Sequence, residues 1–476
     1  MKKIVKLLLG IAFIVAPTSL FAQQPKEWTL SDCINYALDN NIQIKRFGLQ
    51  TDIATNNYVQ SWVQMAPSLN SGAAHNLNYG RNIDKFTNQI TNTNITSDNF
   101  YVQGAVNLFS GFQVINSIQQ NRYLLNASLQ DYERAKNDIS IQIATVFLQV
   151  LQGQEALDVA QKQFEVTHLQ LERVQKLVEV GNKAKGDMLE MQAQEANDKY
   201  NITVANNNLH IAYLTLAQLL ELKYVEDFKI KRPDSVSVAN TNVLSSVDDI
   251  YKDAEARLPQ IKSAENQLRS YEKSLAVTRG QLYPTLTLTG TLGTGYSNAR
   301  QRATSEMQTN TTVIGYVDGT NQQVINQSTT PVFGNYPFMS QLKDNRSTTV
   351  ALNLNIPLFN QLQVQKNIRN AKVRTIDADY NLQQTKKSLY QEIQKAHADA
   401  VAAFEQFNSA NEAVIENEEL FKYNQQKFDV GMISSVDFNI VKNTLTKAQS
   451  DLIQAKYLYI FKVKVLDFYR GVQIVL

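Results

Sequence analysis

The chain has 476 residues, and its 46 Lys and Arg residues nearly balance 44 Asp and Glu residues, which leaves a formal net charge of +2. This balance excludes the strongly basic surface of a nucleic-acid-binding protein, so no nucleic-acid partner is expected. The single cysteine excludes a disulfide within the chain, and the four histidines have no metal-ligand spacing.

The sequence contains no signature of catalysis. It has no Ser-His-Asp order, no phosphate-binding loop and no paired-carboxylate site. We therefore expect a protein that is not an enzyme and that has no catalytic residue, no metal and no cofactor.

Residues 1–22 have the pattern of a secretory signal peptide. A start with three lysines precedes the apolar run Leu7–Val15, which is too short to span a bilayer, and Ala22 is the expected last residue before cleavage. Cleavage removes the three lysines, so the mature charge is +2 − 3 = −1. An uncleaved membrane anchor is the alternative. After this segment no run of 18 apolar residues follows, so no transmembrane helix is expected.

The rest of the chain carries one order of elements twice. Pro67 recurs as Pro284, 217 residues later, whereas Gly181 recurs as Gly431, 250 residues later. The difference of 250 − 217 = 33 residues falls in one loop. We therefore predict a duplicated unit, with a first structural repeat over 23–235 and a second over 236–476.

The first repeat begins with helices that end at Pro67. Alternating apolar and polar residues then predict strands over about 68–79 and 99–109, with a polar loop between them. From Gly111 the helical pattern runs without proline for about 70 residues, or roughly 105 Å of helix. A turn at Gly181 and a returning helix complete a helical hairpin over 111–222.

The second repeat has the same order. Helices again end at a proline, and alternation predicts strands over about 285–296 and 347–358. The long segment from 296 to 346 between them is polar and is predicted to be a loop. Its aromatic cluster from Phe333 to Phe338 is either an interfacial anchor or plug at a barrel mouth, or an ordinary loop cluster. A helical hairpin over 361–470 follows.

Four strands per chain, each with one apolar and one wet face, cannot close a membrane barrel alone. Such barrels need at least about eight strands, because an open edge in lipid leaves backbone groups unpaired. Three copies would supply twelve strands. The sequence therefore predicts a homotrimer with an outer-membrane barrel, surrounded by outer-membrane lipid, and a long helical tube in the periplasm.

These features resemble the TolC family of outer-membrane efflux proteins over essentially the whole mature chain. The order of elements is the strongest similarity. Shorter motifs support it at constant spacing, namely the strand start Tyr283–Leu286, the strand end Pro357–Phe359 and the hairpin turns Val180–Asp187 and Val430–Asp437.

The resemblance implies a mainly α fold with membrane β-strands. It implies a trimeric twelve-stranded β-barrel continuous with a periplasmic α-helical barrel and a mixed equatorial belt, in the outer membrane of a Gram-negative cell. Its function would be a passive exit duct of a tripartite efflux or type I secretion system, with a periplasmic adaptor and an inner-membrane pump as partners.

A periplasmic coiled-coil adaptor or scaffold is the alternative. An adaptor would need one hairpin flanked by a lipoyl-like β domain, whereas this chain has two hairpins. A soluble scaffold would not need alternation of apolar and wet residues at four places.

Members of the family narrow the tunnel at the periplasmic tip with acidic residues and links between helices. In this sequence the first gate aspartate falls on Asp437, and the second falls on Ile440. The linking tyrosine falls on Phe428, the linking arginine on Ile433, and the acidic partner of that arginine on Asp187. The resemblance therefore implies one acidic ring of three Asp437 side chains with apolar packing, and the family's ion-pair lock is largely missing.

The tip residues also have simpler interpretations. Asp187 and Asp437 are alternatively expected to cap the returning helices, where a carboxylate accepts free N–H groups. Gly181 and Gly431 are expected to adopt left-handed backbone at the helix ends. The two turns then either form the docking tip for the adaptor or only reverse the chain.

Overall fold

A computed structural model describes residues 27–83, 88, 90–92, 94–223, 228–233 and 246–472. The predicted signal peptide, residues 1–22, lies outside this range. The chain divides into two compact units. We call them the helical unit, formed by the described residues of Met1–Gly48, Asp131–Pro259 and Lys386–Leu476, and the sheet unit, formed by those of Leu49–Gln130 and Gln260–Thr385.

The sheet unit is built on a four-stranded antiparallel sheet. Its strands are β1 (Ser68–Asn78), β4 (Ile95–Ser110), β5 (Thr285–Ser297) and β8 (Ser347–Asn355), in the order β1-β4-β5-β8. Two small sheets pair β2 (Asn82–Ile83) with β3 (Ile90–Thr91) and β6 (Gln301–Tyr316) with β7 (Gln323–Asn335). The four strands of the main sheet lie near the predicted positions. Those of the first half of the sequence join those of the second half where β4 pairs with β5.

One face of the four-stranded sheet is apolar and the other is wet. Leu288 lies opposite both Val106 and Leu352, so apolar side chains share one face across three strands. The neighbouring row is polar, with the Thr287 hydroxyl donating to Asn107 at 3.0 Å. In the single chain the apolar side chains of β8 are uncovered, and Leu352 remains 62% exposed.

The expectation that residues 296–346 form a loop is wrong. This segment contains the hairpin β6–β7 and a short helix, α7 (Phe338–Asp344). Threonine, valine and isoleucine favour extended backbone, and Gly319 supplies a positive φ of 88° at the reversal. The polar composition concealed strands because neither face of this hairpin is buried.

The helices are long and come in matched pairs. The helices α3 (Gln113–Glu179) and α8 (Gln363–Asp429) each have 67 residues, while α4 (Lys185–Leu219) and α9 (Ser435–Tyr469) each have 35. The shorter helices are α1 (Leu30–Asn40), α2 (Ile42–Val63), α5 (Val247–Arg257) and α6 (Pro259–Gly280). The mainly helical fold class with strands is thereby confirmed. The division into repeats at 235 and 236 stays a prediction, since that boundary lies outside the described residues.

The two connections from sheet to long helix have the same unusual backbone. Gly111 and Phe112 have φ of 61° and 62°, and Gln361 and Leu362 have φ of 55° and 63°. Residues with side chains rarely adopt such angles. The repetition 250 residues later indicates that the geometry of this connection belongs to the duplicated unit.

The core of the helical unit packs α1, α4 and α9 against the long helix α3. Phe147 and Leu151 of α3 are buried with Leu216 of α4 and Cys33 of α1. Burial, with a smaller contribution from Asp32, raises the pKa of the Cys33 thiol to about 12. The thiol therefore stays protonated and acts as a small apolar side chain.

Among the described residues, no helix combines the length and the hydropathy that crossing a membrane requires.

Candidate functional site at the hairpin tips

Both helical hairpins reverse through the same glycine-dependent turn. Gly181 and Gly431 have φ of 77° and 78°, which confirms the expected left-handed backbone. The N–H of Asn182 donates to the carbonyl of Leu177 at 2.8 Å. The equivalent Met432 bond at the second turn measures 2.9 Å. Each turn thus uses the hydrogen-bond pattern that closes a helix after a left-handed glycine.

The start of α9 is capped by Ser434, and Asp437 supports that cap. The hydroxyl oxygen of Ser434 accepts the N–H of Asp437 at 3.1 Å, and the hydroxyl donates to the Asp437 carboxylate at 2.8 Å. The side chain of Asp437 therefore does not cap backbone N–H groups itself. It is held at the first turn of α9 and remains exposed.

The expectation that Asp187 caps α4 is wrong. The N-cap of α4 is Ala184, and no side-chain hydrogen bond caps this helix, because alanine has no oxygen for a reciprocal bond with the third residue. Instead, the hydroxyl of Ser435 donates towards Asp187 at 2.7 Å, with Glu190 also within reach at 2.9 Å. Asp187 therefore joins the first hairpin to the second.

An apolar cluster lies between the hairpins just beyond the turns. This tip core contains the stacked rings of Phe428 and Phe438, whose centroids are 4.6 Å apart. It also contains Leu171, Val174 and Met191, with Ile433 partly buried against it. The packing removes apolar surface from water, at roughly 25 cal/mol per Å² buried. Phe428 thus contributes to this apolar packing.

The structure does not bring all the predicted gate residues together. Phe428 and Ile433 meet in the tip core, and Asp187 reaches Ser435 beside it. Ile440, in contrast, is 58% exposed and lies outside the core. Asp437 and Ile440 therefore face away from the packing that joins the hairpins within one chain.

An ion pair outside the family's lock positions links the hairpins near the tip. The guanidinium of Arg173 on α3 bonds the carboxylate of Asp429, and its second nitrogen donates to the Asp429 carbonyl at 2.7 Å. This pair joins the hairpins with residues other than those the resemblance indicated. The sequence offered only the charges, since Arg173 and Asp429 are 256 positions apart.

A histidine bridges the two helices of the first hairpin. His168 on α3 lies 2.6 Å from the carboxylate of Glu195 on α4, and its ring stacks on Phe164 at 5.9 Å. The hydrogen bond to Glu195 raises the pKa of His168 above its usual value, because it favours the protonated ring. Both groups are exposed enough that the pair contributes little to stability.

A buried ion pair lies one step deeper between the hairpins. The Lys442 side chain is fully buried on α9, and its ammonium group contacts Asp198 of α4 and Thr167 of α3. The Thr167 hydroxyl donates to Asp198 at 2.5 Å, and Gln194 donates to the other carboxylate oxygen at 2.9 Å. Burial lowers the pKa of the Lys442 ammonium, and Asp198 opposes that effect.

The position of Lys442 along α9 indicates from the sequence that it needs a buried partner. Lys442 lies four residues after Phe438 and three before Leu445, which are both buried. A lysine at such a position on a helical seam must find a buried partner.

Across the described residues, no group of three or more histidine, cysteine or acidic side chains is placed to hold a metal ion.

The chain is similar to known proteins along almost its whole length. The sequence model of a family described as outer membrane efflux protein matches residues 33–221 and 250–469. Outer membrane protein TolC of Escherichia coli (strain K12) is 23% identical over 473 residues, which cover 97% of this chain and 84% of that protein.

Two solved structures have the same fold. The structure of CusC superposes with a TM-score of 0.74 at 15% identity and covers 94% of this chain and 93% of that one. The Campylobacter jejuni CmeC outer membrane channel gives 0.74 at 15% identity, covering 93% and 85%.

Replacing only one member of the buried pair is expected to destabilise the helical unit. Lys442→Met leaves the Asp198 carboxylate buried without its cation, which costs about 3 kcal/mol or more of unfolding free energy. The double variant Lys442→Met with Asp198→Leu should recover most of that loss. Lys447→Met, at an exposed position of α9, is the matched control.

Denaturant titration of five proteins measures this coupling through their unfolding free energies: wild type, Lys442→Met, Asp198→Leu, the double variant and the Lys447→Met control. A double variant that loses as much as the sum of its single substitutions would contradict the pairing.

Proposed function

We propose that this chain, which belongs to the outer membrane efflux protein family, is the exit duct of a tripartite export system. The family places it in the outer membrane with a helical extension into the periplasm. The observation that carries the proposal is one sheet with a single apolar face joined to two hairpins of equal helix lengths. Membership of this family favours the outer-membrane duct over the alternative of a periplasmic adaptor or scaffold.

The duct is a homotrimer. Within the described chain, β1 and β8 each pair on one side only, so the sheet has two open edges. Unpaired backbone groups are too costly in lipid for such edges to stay open. Joining β1 of one copy to β8 of the next closes a barrel of twelve strands from three chains, above the minimum of about eight.

The same symmetry builds the tube from the helices. Each chain supplies two hairpins, so three chains place six nearly equal hairpins around one axis. The matched helices of 67 and 35 residues support this arrangement. At about 1.5 Å per residue the long helices reach roughly 100 Å. The bore needs no chemistry of its own, because an inner-membrane pump drives transport through a periplasmic adaptor.

The hairpin turns are the docking tip for the adaptor. Apart from the adjoining residues, no heavy atom lies within 4 Å of the position where a Cβ would stand at Gly181 or Gly431, so the turn surfaces are open to a partner. Val180, Val430 and Met432 beside them are exposed apolar side chains. The cargo is small toxic molecules in an efflux system, or secreted proteins in a type I secretion system.

Asp437 forms the acidic constriction of this duct. Its carboxylate is exposed at the first turn of α9 and fixed by Ser434. Three copies around the axis form a ring of like charges that attracts cations. Ile440, one turn further along α9, adds an apolar side chain to the same exposed surface.

The purified trimer should conduct in a planar lipid bilayer and should prefer cations. Measurements at low protein concentration, with the oligomeric state checked in the same detergent, test whether conductance requires the trimer. Conductance from monomers, or a well-folded trimer that inserts but never conducts, would contradict the proposed duct.

Asp437→Asn should reduce the cation preference of that conductance, because it removes three carboxylates and leaves the Ser434 cap in place. Reversal potentials across a salt gradient measure the preference. Glu418→Gln, which removes an exposed carboxylate elsewhere on the same hairpin, is the control and should leave the preference unchanged. Equal selectivity in wild type and Asp437→Asn would exclude Asp437 from the constriction.

A further inference from the structure

The short helix α7 lies on the apolar face of the sheet, at the end remote from the long helices. The ring of Phe338 packs against Tyr296 at 5.0 Å and against Phe100 at 6.5 Å between centroids. Phe100 is two residues from Val102, and Tyr296 is four from Leu292, so both share the face of those apolar residues. The helix therefore borders the outer end of the apolar band.

Fixed polar contacts hold α7 in this position. The fully buried Gln341 side chain donates to the carbonyls of Ser297 and Tyr336, both at 2.9 Å, and accepts the Ser297 N–H at 3.0 Å. Asn345 donates to the Gly295 carbonyl at 2.6 Å. The Gln341 side chain thus satisfies the backbone N–H and C=O groups at the end of β5, which fixes α7 to the sheet.

Apolar side chains of α7 stay uncovered despite this close attachment. Met339 is 76% exposed and Phe338 is 40% exposed. Aromatic side chains at the edge of an apolar band are typical of the boundary between lipid and water. The outer end of the sheet thus presents a surface that suits the region of a lipid molecule where the acyl chains meet the headgroup.

Basic side chains surround the same helix. Arg300 and Arg302 lie over the ring of the buried Tyr336, with distances of 5.4 and 5.9 Å to its centroid. Lys343 is on α7 itself. Arg346 comes shortly after α7 and two residues before Thr348, which lies opposite Leu292 on the apolar face. Within the described part of the chain, these four cations take part in no ion pair.

We propose that α7 and these four basic residues form a binding site for lipids whose headgroups carry phosphate. The acyl chains lie along the apolar band beside Phe338 and Met339, and the phosphate faces the cations. Arginine pairs with phosphate oxygens through two parallel hydrogen bonds, which suits Arg300, Arg302 and Arg346. The site rests on the proposed insertion of the sheet in the outer membrane, and it adds recognition of a lipid class.

Native mass spectrometry of the trimer in neutral detergent tests the site with two matched lipids. Dioleoyl phosphatidic acid and dioleoylglycerol share their acyl chains and differ by the phosphate. Wild-type protein should retain phosphatidic acid at least about tenfold more tightly, given the attraction of clustered basic residues for anionic lipid. Replacing Arg300, Arg302, Lys343 and Arg346 by glutamine should abolish this preference.

Two further variants keep the test decisive. The double variant Lys343→Gln with Arg346→Gln leaves the arginines over Tyr336 in place and should lose part of the preference for phosphatidic acid. It tests the site even if the fourfold variant fails to fold. The control replaces four exposed cations of α8 by glutamine and should keep the preference, namely Lys366, Arg369, Lys372 and Arg374.

The outcomes separate this site from the proposed duct. A conducting wild type without phosphate preference, or basic-site variants that retain it, overturns the lipid site alone. Loss of the trimer in the double variant, with lipid preference intact, would instead make the surface a contact between copies and also overturns it. A wild type that binds phosphatidic acid selectively but never conducts overturns the duct and leaves the lipid site standing.

Discussion

The open edges of the four-stranded sheet are the constraint on which the rest of the structure depends. In water, β1 and β8 would satisfy their outer N–H and C=O groups with solvent, but a bilayer offers no such partners. The sheet also leaves apolar side chains uncovered, among them Val350 and Leu352. In the proposed trimer, lipid covers these side chains and further copies of the chain pair the open edges.

This requirement explains the repetition within the chain. In the proposed trimer, two strand pairs and two hairpins per copy let three copies approach sixfold packing of the hairpins around one axis. The hairpins within a copy must then stay in register with each other. The tip core, the Arg173–Asp429 pair and the buried Lys442–Asp198 pair connect them at successive levels. A buried ion pair fixes such a register because any shift leaves a charge without its partner.

The sequence alone could predict the elements that follow a simple period. The strands β1, β5 and β8 begin at the predicted residues, because the alternation of one apolar and one polar face is visible in the sequence. The hairpin β6–β7 could not be found in this way, since both its faces are exposed. Family resemblance selected Asp437 and Phe428 as gate candidates, but it could not predict their contacts.

Contacts between distant segments were the part that sequence patterns could not supply. Asp187 looked like a capping residue, yet its partner is a serine of the other hairpin. Arg173 and Asp429 carried no spacing that linked them. In each case the deciding fact is which helices become neighbours, and tertiary packing sets that.

Engineered cysteines at the two sheet edges test the closure of the barrel most directly. In a Cys33→Ala background, Ser71→Cys on β1 is combined in turn with Thr348→Cys, Val350→Cys or Leu352→Cys on β8. Within one chain these edges are three strand spacings apart, roughly 14 Å, which is too far for a disulfide. Oxidation should give covalent trimers with at least one pair. Monomers alone in every pair, or an open ladder of higher polymers, would contradict the account.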